Sequence, residues 1–373
     1  MPECASAVAR RRKPRYCPAA IFGARRKEMS QSESIGEVEG RAVRAFTIRN
    51  RKGLTARIME LGATLLELHV PDRQGQLADI ALGEQDMAAY LVSHNYFGAT
   101  CGRYGNRIGR GSLFLDGNSY QLSCNEGRNH LHGGVQGFDK HLWTGQAAAD
   151  GRSVAFSYRS ADGEEGFPGN LDATVVYSLD EEDRLILEMT AESDRPTVCN
   201  LAHHSYWNLG GHAAGEVLAH ELTLDADFYT PVDAELIPTG EIRKVAETAM
   251  DFRQAKPLGR DIAAVQGTVG YDHSFVLRGA AGALKRAARL YHPASGRGFD
   301  LHTTEPAVQL YTAGHFDGRT KGKGGQAYPR FGGVALETQH FPDAPNHGHF
   351  LPTRLDPGQR YRHRMEFRFF MER

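Results

Sequence analysis

The chain has 373 residues, 44 Lys+Arg against 45 Asp+Glu for a formal net charge of −1, 40% hydrophobic and 24% charged residues. These are the proportions of a globular protein, not of a collagen-like or disordered chain. No apolar run reaches the roughly 18 residues a membrane helix needs, and so balanced a charge argues against a protein whose main work is holding nucleic-acid backbone.

The balance hides an asymmetry at the N-terminus. Residues 1–28 hold eight basic side chains (Arg10, Arg11, Arg12, Lys13, Arg15, Arg25, Arg26 and Lys27) and two acidic ones, which leaves 36 basic and 43 acidic residues in the remainder. No apolar stretch of signal-peptide length accompanies them. The segment reads as a transit peptide, as a nucleic-acid arm, or as an upstream stretch with Met29 as the true start. Residues 1–40 are expected to be a disordered basic extension, and 41–373 a single domain. The five cysteines, Cys4, Cys17, Cys101, Cys124 and Cys199, show no CxxC spacing and are odd in number. That pattern suits a reducing compartment, and the cytoplasm is the expected location.

From residue 41 onward short runs alternate apolar with polar residues: RAFTIRN, TARIMELGATLLELHV, SVAFSYRS, ATVVYSL, RLILEMTAES and, at the C-terminus, YRHRMEFRFFME. Period-two alternation is the signature of half-buried strands. Turn residues separate the runs: DRQG at 72–75, LDGN at 115–118, SADGEEG at 160–166 and ASGRG at 294–298. Helical pattern is confined to EQDMAAYLVS (84–93) and the region Arg260–Val265. Many strands, little helix and no internal linker predict an all-β fold, a large antiparallel β-sandwich with few short helices.

Five stretches concentrate polar and aromatic residues. FGATCGRYGNRIGRG (97–111) has glycines and arginines that suit a phosphate cradle, but lacks the Walker spacing. It reads equally as a turn with solvated arginines, or as a loop whose Asn106 and Arg107 donate hydrogen bonds to hydroxyls or an anionic oxygen. NHLHGG (129–134) and NLAHHSYWNL (200–209) bring histidines, the side chains best suited to exchange protons near neutral pH. Paired histidines also suggest a metal, although HExxH spacing is missing and a structural role is open for each. YDHSFVL (271–277) sets Asp272 before an apolar strand, as a turn cap or as a site acid. In GGVALETQHFPDAPNH (332–347) Glu337 alternates with Val334, Leu336 and Thr338, which places it either toward solvent or in an apolar setting that would raise its pKa.

Together with FYTPVDAELIPTG (228–240) and PAVQLYTAG (306–314), these motifs resemble, in order, the aldose 1-epimerase or galactose mutarotase family from about residue 41 to the C-terminus. The resemblance implies a β-sandwich enzyme, an isomerase that interconverts α and β anomers of free hexoses by acid–base ring opening. It implies Glu337 as base and His204 as acid, with Asn106, Arg107, His132, Asp272 and Gln309 binding sugar. It implies no cofactor and no metal. The expected partner is a small-molecule sugar, with no nucleic acid and no membrane. Trp143, Trp207 and Tyr311 are candidates for an apolar sugar platform or for ordinary core. His203 and Trp207 depart from the family's usual Asn-His-Ser-Tyr-Phe. Two other readings stay open: a hexose 6-phosphate epimerase using Arg103, Arg107 or Arg110, and a non-catalytic sugar-binding protein on the same scaffold.

Overall fold

A computed structural model describes residues 32–372, and within them the alternating runs become antiparallel strands. Of the expected extension at 1–40, residues 1–31, with the basic cluster and the alternative start at Met29, lie outside the described residues. Ser32–Val38 is already a strand, paired with Arg41–Arg49, which moves the start of ordered structure ahead of the expected residue 41. A bulge between Ser34 and Gly36 lets both Ile35 and Val38 reach an apolar cluster, a register that simple alternation does not reveal. TARIMELGATLLELHV is also two strands, Thr55–Met59 and Thr64–Pro71, paired antiparallel across a turn at 60–63.

A nine-stranded sheet runs in the order Thr144–Ala147, Ser153–Ser160, Leu171–Leu179, Arg184–Ser193, Tyr361–Met371, Arg297–Thr303, Lys285–Tyr291, Glu221–Leu224, Lys256–Pro257. In Leu171–Leu179 every second residue is buried, as the period-two pattern requires. A six-stranded sheet, Tyr206–Trp207, Val334–Gln339, Ala307–Tyr311, Asp272–Leu277, Ala226–Thr230 and Arg243–Lys244, covers the apolar face of the first. Phe299, Leu301, Met365 and Phe367 from one sheet share a core with Trp207, Phe275, Val308, Leu310 and Leu336 from the other. This is the predicted sandwich. A five-stranded sheet over residues 32–79 packs against the same nine-stranded sheet, with Phe46, Ile48 and Ile58 in one core with Phe156, Val175 and Tyr177.

Helix is as scarce as expected. Met87–Val92 is helical, with Asp86 as N-cap accepting from the Ala89 backbone N–H at 2.9 Å. Ile262–Ala264 is one 3₁₀ turn. Among the described residues no helix is long and apolar enough to cross a membrane.

Candidate active site

Val334–Gln339 is buried along its whole length, so its alternation separates two interiors rather than core from water. Val334 and Leu336 face the main core, and Thr338 donates its hydroxyl to His363 Nε2 at 2.8 Å. Glu337 points the other way, into a cavity of about 640 Å³, and is only 2% exposed. The solvent-facing alternative for Glu337 is therefore excluded.

The strand Ala202–His204 pairs with Ala99–Cys101 and brings His204 to the same cavity. Its Nε2 lies 3.5 Å from Glu337 Oε1. Burial, with the nearby charge of Asp272 adding to it, lifts the Glu337 pKa well above the ordinary carboxylate range; Arg107 opposes the shift. Burial lowers His204 to about 4. Neither His204 Nδ1 nor Glu337 Oε2 has a hydrogen-bond partner in the protein. Leaving such atoms buried costs about 1–3 kcal/mol each, a cost expected of groups held ready for substrate.

The glycine-rich loop supplies the next wall. Asn106 sits at φ 64°, a region asparagine tolerates better than most residues, with its Oδ1 accepting from the Arg107 backbone N–H at 2.9 Å. Its own N–H donates to His132 Nδ1 at 3.1 Å, and its carbonyl accepts from the His132 backbone. Arg107–Ile108 pairs with His130–Leu131, which holds the two motifs together. Gly133, at φ 97°, allows the approach: a Cβ there would stand 1.8 Å from the Gly102 carbonyl. Arg107 forks onto Glu126 at 2.6 and 2.7 Å and comes within 4.0 Å of Asp272.

Ligand-type atoms of His132, His204 and Glu337 all lie within 4.8 Å of one another, close enough to suggest a cation. The Asn106 N–H decides against that reading. It occupies the Nδ1 lone pair of His132, so the neutral ring carries its proton on Nε2 and presents a donor, not a ligand.

Of the seven residues the resemblance implied, Asn106, Arg107, His132, His204, Asp272 and Glu337 line one cavity. Gln309 does not. It lies beside Glu337 in strand register, and its Nε2 donates to Asp272 Oδ1 at 2.6 Å, so it holds Asp272 from behind. Trp143 and Trp207 are core residues: Trp143 donates its Nε1–H to the Phe138 carbonyl, and Trp207 packs on Phe299 and Phe367. Of the three aromatic candidates only Tyr311 lines the cavity, where Tyr96 and Tyr206 join it. Tyr96 lies 4.6 Å from the His132 ring and Tyr206 5.0 Å from the His204 ring.

The phosphate reading of the arginine-rich loop fails on charge. Arg103 is fully buried and donates to Ser160 Oγ and to the carbonyls of Ser160, Ala161 and Pro168. Arg110 does not reach the cavity, and Arg107 is its only Lys or Arg among the described residues, against Glu126, Asp272 and Glu337. Sequence reasoning passed over Tyr96, Glu126 and His315, which also line the cavity. Tyr96 and His315 each stand one residue outside a quoted motif, where no chemical signal marks them.

Residues 44–368 match the family model described as Aldose 1-epimerase. The chain is 45% identical over 312 residues to a galactose mutarotase of Homo sapiens, covering 84% of this chain and 90% of that protein. It is 37% identical over 339 residues to an aldose 1-epimerase of Escherichia coli, covering 90% and 97%. A GalM/aldose epimerase homologue from C. elegans superposes with a TM-score of 0.83 at 32% identity, over 92% of this chain and 100% of that one.

Proposed function

This chain belongs to the aldose 1-epimerase family, and on that premise we propose that Glu337 and His204 are its proton-transfer pair. Its activity is the interconversion of the α and β anomers of hexoses, an isomerisation, and its small-molecule partner is a sugar. The observation that carries the assignment is the 3.5 Å approach of two buried, otherwise unpartnered groups on the cavity wall.

Glu337 as carboxylate takes the proton of the anomeric hydroxyl while the C1–O5 bond breaks. The bonding electrons go to the ring oxygen, which takes a proton from His204. The open aldehyde turns about C1–C2, and closure on its other face returns both protons. No proton is gained or lost over the cycle. His132 Nε2–H and the Arg107 guanidinium are donors for the sugar oxygens, and Asp272, oriented by Gln309, is an acceptor for a hydroxyl. Positioned acid–base groups of this kind contribute roughly 10²–10⁴-fold.

The charge of the lining supports free hexoses over hexose phosphates, since its one arginine, Arg107, is already paired with Glu126 and lies beside Asp272. A non-catalytic sugar-binding protein would have no need of a buried carboxyl–imidazole pair placed to exchange a proton. The described cysteines, Cys101, Cys124 and Cys199, are free, which supports a reducing compartment such as the cytoplasm.

Polarimetry of freshly dissolved α-glucose and α-galactose tests the assignment. The protein should speed relaxation to the same final rotation, and Glu337→Gln should lower kcat by roughly 10²–10⁴-fold with little change in sugar affinity. Near-normal turnover in that variant would remove Glu337 from the role.

A further inference from the structure

The rim of the cavity carries a hydrogen-bonded row that the proton-transfer pair does not use. Glu84, largely buried, takes the side-chain N–H of Asn95 on Oε1 at 2.9 Å and the Ser93 hydroxyl on the same oxygen. A carboxylate oxygen accepts, so the Asn95 amide nitrogen is turned to Glu84 and its Oδ1 to His315 Nε2, 3.2 Å away. An amide oxygen also only accepts. The neutral His315 ring therefore carries its proton on Nε2 and offers a lone pair at Nδ1.

That lone pair faces the Tyr311 hydroxyl. Burial raises the Tyr311 pKa, so the phenol keeps its proton and donates it to His315. The two rings lie nearly parallel, 9° between planes and 5.7 Å between centroids, while Phe316 meets the His315 ring 4.6 Å away. The His315 backbone N–H also donates to the hydroxyl oxygen, so Tyr311 meets the cavity with its remaining oxygen lone pair. Asp272, directly opposite Tyr311 in strand register and on the same wall, is an acceptor as well.

We propose that His315 is a positioning residue that fixes Tyr311 as a hydrogen-bond acceptor toward the sugar. With Asp272 beside it, that wall then selects substrates presenting two hydroxyl protons. The inference rests on the reading of the cavity as a hexose site and adds a determinant of which hydroxyls it recognises.

Monofluorinated hexoses test it, because fluorine cannot donate. Dissociation constants are measured by titration calorimetry for glucose and galactose and for their analogues fluorinated singly at C2, C3, C4 or C6. The proteins are the wild type, His315→Phe, which keeps a ring against Tyr311 but no acceptor, and Tyr311→Phe. In the wild type the positions facing Tyr311 and Asp272 should each lose roughly two- to tenfold in affinity. In His315→Phe the Tyr311 proton is free to turn to the fluorine, and one of those losses should shrink below about twofold while the other stays. Tyr311→Phe should abolish the same loss. Equal losses in wild type and His315→Phe at every position would overturn the inference. The readout is binding, so it is independent of turnover: persistent mutarotation with unchanged fluorine losses removes only the role of His315, and absent mutarotation with the predicted losses removes only the catalytic reading.

Discussion

Glu337 and His204 hold one dissociable proton between them. Burial raises the carboxyl pKa and lowers that of the imidazole to about 4, and so favours the neutral pair. Moving that proton from Glu337 to His204 creates the base and the acid together, and the sugar oxygens with the Arg107 and His132 donors can stabilise the charged form. The working state has one proton, and the apparent pKa values belong to the pair. Activity is expected to fall as pH drops through about 4, where His204 takes a second proton and the base is lost. It should fall again on the alkaline side, above the raised Glu337 pKa, where the last proton leaves and the acid is lost. Polarimetric kcat/KM across pH, corrected for spontaneous rotation, checks both limbs. Arg107→Ala should raise KM roughly ten- to a hundredfold by removing a charged donor. It should also move the alkaline limb upward, since Arg107 opposes the upward shift at Glu337. An unchanged KM would place Arg107 outside the sugar's reach.

The elements act mainly as spacers that set these side chains in register. Gln309 and Glu337 are paired across two strands, and so are Asp272 and Tyr311, which puts a positioning amide next to a base and two acceptors side by side. Tight loops bring in the other wall at close backbone contact. Gly133→Ala would force a Cβ to 1.8 Å from the Gly102 carbonyl at a φ of 97°. Strain of roughly 1–3 kcal/mol is expected, with the His132 segment pushed off the Asn106 loop. Displacement of about 1 Å can cost around 10²-fold in rate, so kcat should fall by far more than the drop in melting temperature would suggest. Polarimetry beside thermal melting separates the two effects.

For the molecule as a whole, the sandwich interior supports the floor of the site. Phe367, fully buried, meets Trp207 at 5.0 Å, Phe299 at 5.2 Å and the His203 ring at 6.3 Å. It therefore touches both residues that depart from the family's usual motif beside the acid. His203, whose Nε2 meets Ser205 Oγ at 2.7 Å, and Trp207 face this interior rather than the sugar. Phe367→Ala should cost roughly 3–5 kcal/mol of stability, read by denaturant unfolding. A much smaller loss would mean that the interior closes over the void.

Strand, turn and fold class were legible along the chain because period-two alternation and glycine-rich turns are local consequences of a half-buried sheet. The seven motifs likewise marked Glu337, His204, Asn106, Arg107, His132 and Asp272, since proton exchange and hydrogen bonding need those side-chain types. What the sequence could not reveal depends on contacts between residues distant in the chain. Whether Glu337 faced the outer surface or a buried cavity wall was decided by the Ala202–His204 strand and the loops folded over it. Gln309 went behind the wall instead of into it because its amide is taken by Asp272, 37 residues away. The tryptophans went to the core because two sheets close on them, and Arg103 became a structural post because four acceptors surround it. By itself the sequence determined the strands and the chemical inventory; the tertiary structure decided which of those groups share one cavity, because burial and hydrogen-bond direction are properties of the packed neighbours.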